Sequence, residues 1–204
     1  MMLESKKYFN PMLQPSIIER LFFVLKLIIF LILVSPLIIT SLFGKGILPL
    51  IDKWFPLIFH KLLIWLLSVK IMHEGNKKNS KECNLFVCNH ISYLDIPILG
   101  SSMPVRFVAK SEVKDWPIFG FLSKLANTVY IKRVKSDTLL QKFFLLDLLS
   151  VGEKLLIFPE ATTSDGNRVL PFKSSAFSAL ENQNFIIQPL VIIYTDINLS
   201  LIHI

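Results

Sequence analysis

From Leu27 to Phe43 the only polar side chains are Ser35, Thr40 and Ser41. A helix that is apolar on every side is at home in lipid or deep inside a large protein. Extended back through Lys26 to Leu21, the run is long enough to cross a hydrocarbon layer of roughly 30 Å. Lys26 can reach a headgroup along its own methylenes, and Pro36 marks a place for a kink. A second apolar stretch, Ile47 to Leu67, is interrupted by Asp52, Lys53, His60 and Lys61. It carries Trp54 and Trp65, which suit a water–lipid boundary. It reads as an interfacial or re-entrant helix paired with the first across Gly44-Lys45-Gly46. One membrane helix followed by a core helix is the competing reading. A cleaved signal peptide fits poorly, because the apolar part begins only after Arg20 and no convincing small-residue cleavage site follows it. The hydrophobic share of 52% and the mean hydropathy of +0.56 agree with a membrane-attached chain.

The rest of the chain alternates. Strand-like runs fall at Val69–His73, Asn84–Asn89, Arg106–Ala109, Thr128–Lys132, Lys154–Phe158 and Phe185–Tyr194. Helical segments fall at Leu94–Ser101, Ile118–Ala126, Asp137–Leu149 and Ser174–Glu181, with Asp137 after Ser136 as a start signal. This order predicts an α/β domain around a largely parallel mixed sheet flanked by helices. Residues 1–68 are then an anchor and residues 69–204 a second domain. Trp116–Leu122 is strongly apolar, reading as a core helix or the wall of a groove.

His90 stands where the run Leu85–Cys88 ends, and Asp95 follows five positions later. Residues five apart do not share a helix face, so the two meet only if the chain bends between them. A strand end carrying His90 and a helix start carrying Asp95 would achieve this. The carboxylate then holds one imidazole nitrogen and leaves the other as a base. Taken alone, a core histidine with a capping Asp is as good a reading. A second segment, Phe158-Pro159-Glu160-Ala161-Thr162-Thr163, also leaves a strand-like run. Loops at strand ends are where sites collect in α/β folds.

Together these segments resemble the 1-acyl-glycerol-3-phosphate acyltransferase family and its glycerolipid acyltransferase superfamily. Asn89 to Asp95 matches the family's Asn-His-x4-Asp block. Phe158 to Thr162 matches its Phe-Pro-Glu-Gly-Thr block, with Ala161 in place of Gly. Val129-Tyr130-Ile131-Lys132-Arg133 and Ile187-Gln188-Pro189-Leu190-Val191-Ile192 resemble its second and fourth blocks, in the expected order. The resemblance covers about Val69 to Tyr194. Thr163 stands where many members carry Arg, and Arg168 is the nearby basic residue. The longer run to Lys173 resembles the bacterial branch that includes lyso-ornithine-lipid acyltransferases. Ile204 stops the chain soon after the fourth block, where members usually run further, so the acyltransferase domain is expected to be truncated at its C-terminus.

The resemblance implies a glycerol-3-phosphate acyltransferase-like fold and an N-terminal two-helix membrane anchor. It implies His90 as base and Asp95 as its orienting partner. It places Arg133, with Lys132, on a phosphate, and Glu160, Ala161 and Thr162 at the acceptor, where Glu160 bonds a hydroxyl, holds a basic partner or forms a structural salt bridge. Arg168 is a candidate substitute for the missing arginine, and Asn89 and Ser92 brace the His loop. The expected reaction moves an acyl group from acyl carrier protein or coenzyme A thioester to a lysophospholipid. The leading acceptor is 1-acyl-glycerol-3-phosphate, and lyso-ornithine lipid is the alternative. No cofactor and no metal are expected. A metallohydrolase using His90, Asp95, Glu160 and Cys88, and an inactive membrane-binding relative, are the other classes.

Charge supports a lipid partner. Residues 1–68 carry a net +4, residues 69–135 a net +6 and residues 136–204 a net −3. A basic surface beside an anchor draws to anionic lipids, and no nucleic-acid motif accompanies it. Cys83 and Cys88 lack metal spacing. Cys88 reads as a reduced core thiol, which favours a site on the cytoplasmic face of a bacterial inner membrane.

Overall fold

The computed structural model describes residues 16–43, 49–75, 83–132, 138–174, 177 and 185–195. Two long helices come first, α1 (Ile17–Phe43) and α2 (Pro49–Leu66). Then follow β1 (Leu85–Cys88), α3 (Asp95–Ser102), β2 (Arg106–Lys110), a 3-10 turn over Ser111–Asp115, α4 (Phe119–Leu125) and β3 (Val129–Ile131). The order closes with α5 (Thr138–Ser150), β4 (Leu155–Ile157) and β5 (Ile187–Leu190).

The five strands form one sheet in the order β3-β2-β4-β1-β5. Every pairing among the described residues is parallel. Parallel strands are covered on both faces and so read as unbroken apolar runs. In β1 and β4, Phe86, Cys88 and Leu156 face a cluster with Leu99 and Ile192, while Leu85, Val87, Leu155 and Ile157 face one with Leu149. Helix α3 thus covers one face and α5 the other. The register Val87↔Ile157 brings the C-terminal ends of β1 and β4 side by side. Both motif loops leave from that end.

Three sequence expectations change here. Val69–His73 is not a strand: Ser68 turns the end of α2 with a positive φ of 57°, and the residues that follow pair with no strand. The expected strand Phe185–Tyr194 is paired only over Ile187–Leu190, on the edge of the sheet where Pro189 is tolerated. Trp116–Leu122 is not a core helix, because Trp116, Ile118, Phe119 and Phe121 are exposed. The turn at residues 44–46, Asp137 and nearly all of the expected helix Ser174–Glu181 lie outside the described residues.

Helix α1 has a 24-residue segment, Ile17–Thr40, with a hydropathy of 2.9 and only 6% of its most apolar window buried, long and apolar enough to cross a membrane. The apolar part of α2, Trp54–Leu66, is shorter. Helix α2 lies between α1 and the sheet domain. Phe55, Phe59 and Leu66 share a cluster with Phe30 and Val34 of α1 and Leu125 of α4. On its other side, buried His60 meets Phe107 edge-on and sits against Gly100, where an added Cβ would overlap its ring.

Candidate active site

The bend between His90 and Asp95 is built around one carboxylate. Asp95 is the first residue of α3 and is fully buried. Its Oδ2 accepts from His90 Nδ1 at 2.7 Å, from the Ile91 N–H at 2.7 Å and from the Ser92 N–H at 3.0 Å. Its Oδ1 accepts from the Tyr194 hydroxyl at 2.6 Å. Burial by itself would push this carboxyl up. The hydrogen bonds from His90, Tyr194, Ser92 and Ile91 outweigh burial and hold it below the usual carboxylate range. The same bond to Asp95, after burial, raises the Tyr194 phenol far above its ordinary value, so it stays a donor.

The imidazole is held in its plane by Asp95 and on one face by Phe158. Its ring stacks on Phe158 with centroids 4.1 Å apart. With Nδ1 given to Asp95, Nε2 has no partner among the described residues. That is the arrangement of an oriented base.

The second loop clamps the backbone of His90. Buried Glu160 accepts from the His90 N–H at 2.9 Å through Oε1 and from the Leu170 N–H at 3.0 Å through Oε2. The Ser164 N–H donates to the His90 carbonyl at 2.8 Å. Asn89 Nδ2 donates to the Ile192 carbonyl at 3.0 Å and its Oδ1 accepts from the Ile192 N–H at 2.8 Å, extending the β1–β5 pairing past the last strand residue. Ala161 has a φ of +60°, the left-handed region where a side chain is strained and Gly is favoured. A cleft of about 270 Å³ opens beside Asp95, lined by Ile91, Ser92, Leu94, Gly166, Ile193 and Tyr194.

The structure therefore gathers His90, Asp95, Glu160 and Ala161. Among the described residues Glu160 has no basic side-chain partner, and each of its oxygens accepts from a backbone N–H group. Thr162 and Arg168 are exposed on the second loop, and the charge of Arg168 acts on Asp165. Lys132 is exposed just beyond β3, three places from β1 in the sheet. Arg133 lies outside the described residues. Sequence reasoning missed Tyr194; its one signal was a lone hydroxyl at the end of the apolar run Phe185–Tyr194, two places past the fourth block. Burial, then the Asp95 charge, pushes the Cys88 thiol up to about 12, so it is no thiolate at neutral pH. Among the described residues no three His, Cys, Asp or Glu side chains gather as a metal would need.

Residues 70–193 match a family profile described as Acyltransferase. The lyso-ornithine lipid O-acyltransferase of Brucella abortus is 38% identical over 152 residues, covering 70% of this chain and 56% of that protein. The 1-acyl-sn-glycerol-3-phosphate acyltransferase of Neisseria gonorrhoeae is 38% identical over 96 residues, covering 47% and 38%. Among solved structures, the 1-acyl-sn-glycerophosphate acyltransferase PlsC of Thermotoga maritima superposes with a TM-score of 0.60 at 21% identity, over 87% of this chain and 71% of that one. It shares the fold. The chain spans about half the length of the first two curated relatives it matches, 56% and 52%.

Proposed function

The chain belongs to the acyltransferase family, and on that basis we propose that it moves a fatty acyl group from a thioester to the free hydroxyl of a lysolipid at a membrane. The observation that carries this reading is the 2.7 Å bond between His90 Nδ1 and the buried Asp95 carboxylate, which leaves Nε2 open. Asp95 keeps the proton on Nδ1. Nε2 takes the proton of the acceptor hydroxyl as that oxygen attacks the thioester carbonyl. The new C–O bond forms, the C–S bond breaks, and the proton passes from Nε2 to the leaving sulfur. No acyl-enzyme, cofactor or metal enters this scheme. Backbone N–H groups of the two loops serve the oxyanion.

The acceptor in this reading is 1-acyl-glycerol-3-phosphate, and the product phosphatidic acid. Lys132 and Arg133 hold the phosphate, Lys as a point charge and Arg as a fork. Glu160 acts on the acceptor through the loop it holds, with Ala161, Thr162 and Arg168 on that loop. The donor is an acyl carrier protein or coenzyme A thioester. The site works on the cytoplasmic face of a bacterial inner membrane, held there by residues 1–68. A second reading, transfer to lyso-ornithine lipid, is favoured by one observation: relatives so named match 70% and 72% of the chain.

The test offers labelled acyl thioester with lysophosphatidic acid and lyso-ornithine lipid in parallel, comparing wild type with His90→Ala. Loss of the base should cost about 10²–10⁴-fold in rate on the true acceptor. Undiminished product from His90→Ala on both lipids would overturn the scheme, and product on lyso-ornithine lipid alone would select the second acceptor.

A further inference from the structure

Tyr93 sits inside the His90–Asp95 bend yet is 61% exposed. Its ring meets Trp116 edge-on, centroids 6.2 Å apart, and lies 6.0 Å from Phe119. Ile118 (74%) and Phe121 (45%) continue the exposed apolar surface. These are large side chains facing water beside the site.

The turn that presents them is built, not frayed. The Gly120 N–H donates to the Trp116 carbonyl at 2.8 Å, and the Leu122 N–H to the Ile118 carbonyl at 2.9 Å. A Cβ on Gly120 would strike the Lys114 carbonyl, so the turn is pressed onto the 3-10 segment. Ile118 has a φ of +60°, an uncommon conformation for a β-branched residue, costing of order 1–3 kcal/mol. That conformation holds an Ile outward.

The opposite side of α4 packs on the N-terminal helices. Leu122 and Leu125 enter the cluster formed by Phe23, Leu27 and Phe30 of α1 with Phe55 and Phe59 of α2. The exposed aromatic turn is therefore mounted directly on the helix suited to a bilayer. Along residues 110–132, exposed Lys110, Lys114, Lys124 and Lys132 stand against only two carboxylates, Glu112 and Asp115. Aromatic and aliphatic side chains edged by lysine are what an interface with anionic lipid selects.

We propose that Tyr93, Trp116, Ile118, Phe119 and Phe121 form a second membrane contact, a wedge that enters the headgroup–acyl boundary of an anionic leaflet and sets the mouth of the His90 loop on the lipid surface. This deepens the proposed function and rests on its reading of α1 as a membrane anchor. An acceptor lipid then reaches His90 without leaving the leaflet.

The test uses the full chain in phosphatidylcholine vesicles containing phosphatidylglycerol. Trp54→Phe with Trp65→Phe leaves Trp116 as the sole tryptophan of three. Trp116 fluorescence should be quenched by lipids brominated near the headgroup end of the acyl chain and shielded from aqueous acrylamide. Trp116 open to acrylamide and untouched by bromine would overturn the proposal. Shielding without bromine quenching, the result of a protein or second copy on the patch, would overturn it equally. A companion variant that keeps only Trp65 reports the anchor: Trp65 quenched while Trp116 is not rejects the wedge alone, and neither quenched rejects both. In the wild-type background, the exposed triple change Ile118→Ser, Phe119→Ser, Phe121→Ser should raise KM for vesicle-held lysolipid roughly tenfold. Transfer to a short-chain, water-dispersed lysolipid should be unchanged; loss there too points to the His90 chemistry, and an unchanged vesicle KM counts against the wedge.

Discussion

Asp95 concentrates four donors on one buried carboxylate, so each donor has a measurable weight. Its carboxyl is held low, which means its contribution to stability is present above its unfolded value of about 3.9 and is lost as pH falls through the folded value. Tyr194→Phe removes the 2.6 Å bond and raises that folded value. At neutral pH the loss should be about 1.5–3 kcal/mol, the usual worth of a hydrogen bond to a charged group. Melting curves taken from about pH 7 to about pH 3 should show acid unfolding beginning at higher pH in the variant; a superimposable acid limb would deny Tyr194 its role on Asp95. Ala161 argues in the other direction. Its φ of +60° costs a side-chain-bearing residue about 1–2 kcal/mol, part of which Gly gives back through the freedom of the unfolded chain. Ala161→Gly should therefore stabilise the protein by about 0.5–1 kcal/mol, seen as a higher melting temperature. A lower one would mean that the methyl is held by contacts worth more than the strain.

Among the elements, α2 and α3 bear directly on the site, because Asp95 opens α3 and His60 of α2 lies against Gly100 near its end. Gly100→Ala puts a methyl into the His60 ring, and overpacking of this kind costs about 1–3 kcal/mol. Adding His60→Ala should recover part of that loss in the double variant, which detergent-solubilised melts would reveal as non-additivity. Simple additivity would place the damage elsewhere. The elements also show what a sequence can convey. Strands β1 and β4 were legible because burial on both faces leaves apolar runs such as Leu85–Cys88. The His90–Asp95 bend was legible only beside the second loop and the family resemblance, since a spacing of five says just that the two meet if the chain bends. The partners of Glu160 were not, since they are backbone N–H groups at His90 and Leu170 that carry no residue signature. Val69–His73 misled because β-branched residues mark a strand only where another strand is there to pair with them. The exposure of Phe119 and Phe121 was hidden for a related reason: apolar composition gives the cost of meeting water without saying whether protein or lipid relieves it.

At the scale of the whole molecule, the N-terminal helices and the sheet domain share a core. Phe30 and Val34 of α1, Phe55 and Phe59 of α2 and Leu125 of α4 lie in one cluster, while α2 also covers α3. A boundary at residue 68 therefore cuts along the chain but not through empty space. Lys26, well inside α1, confirms the join by donating to Ser68 Oγ at 2.7 Å and lying 5.6 Å from the centre of the Trp65 ring. Removing residues 1–48 would strip α1 from α2 and bare Phe55 and Phe59, which are 2% and 8% exposed in the whole chain. Each such aromatic laid open to water forfeits about 1.5–3 kcal/mol. The shortened chain should consequently be aggregated on size-exclusion chromatography without detergent, and its Asp95-bearing helix less protected in hydrogen exchange than in the full chain. If it instead runs as a monomer with α3 fully protected, α1 serves only as a tether, and the packing of α2 on the sheet domain is sufficient to hold His90 and Asp95 in register.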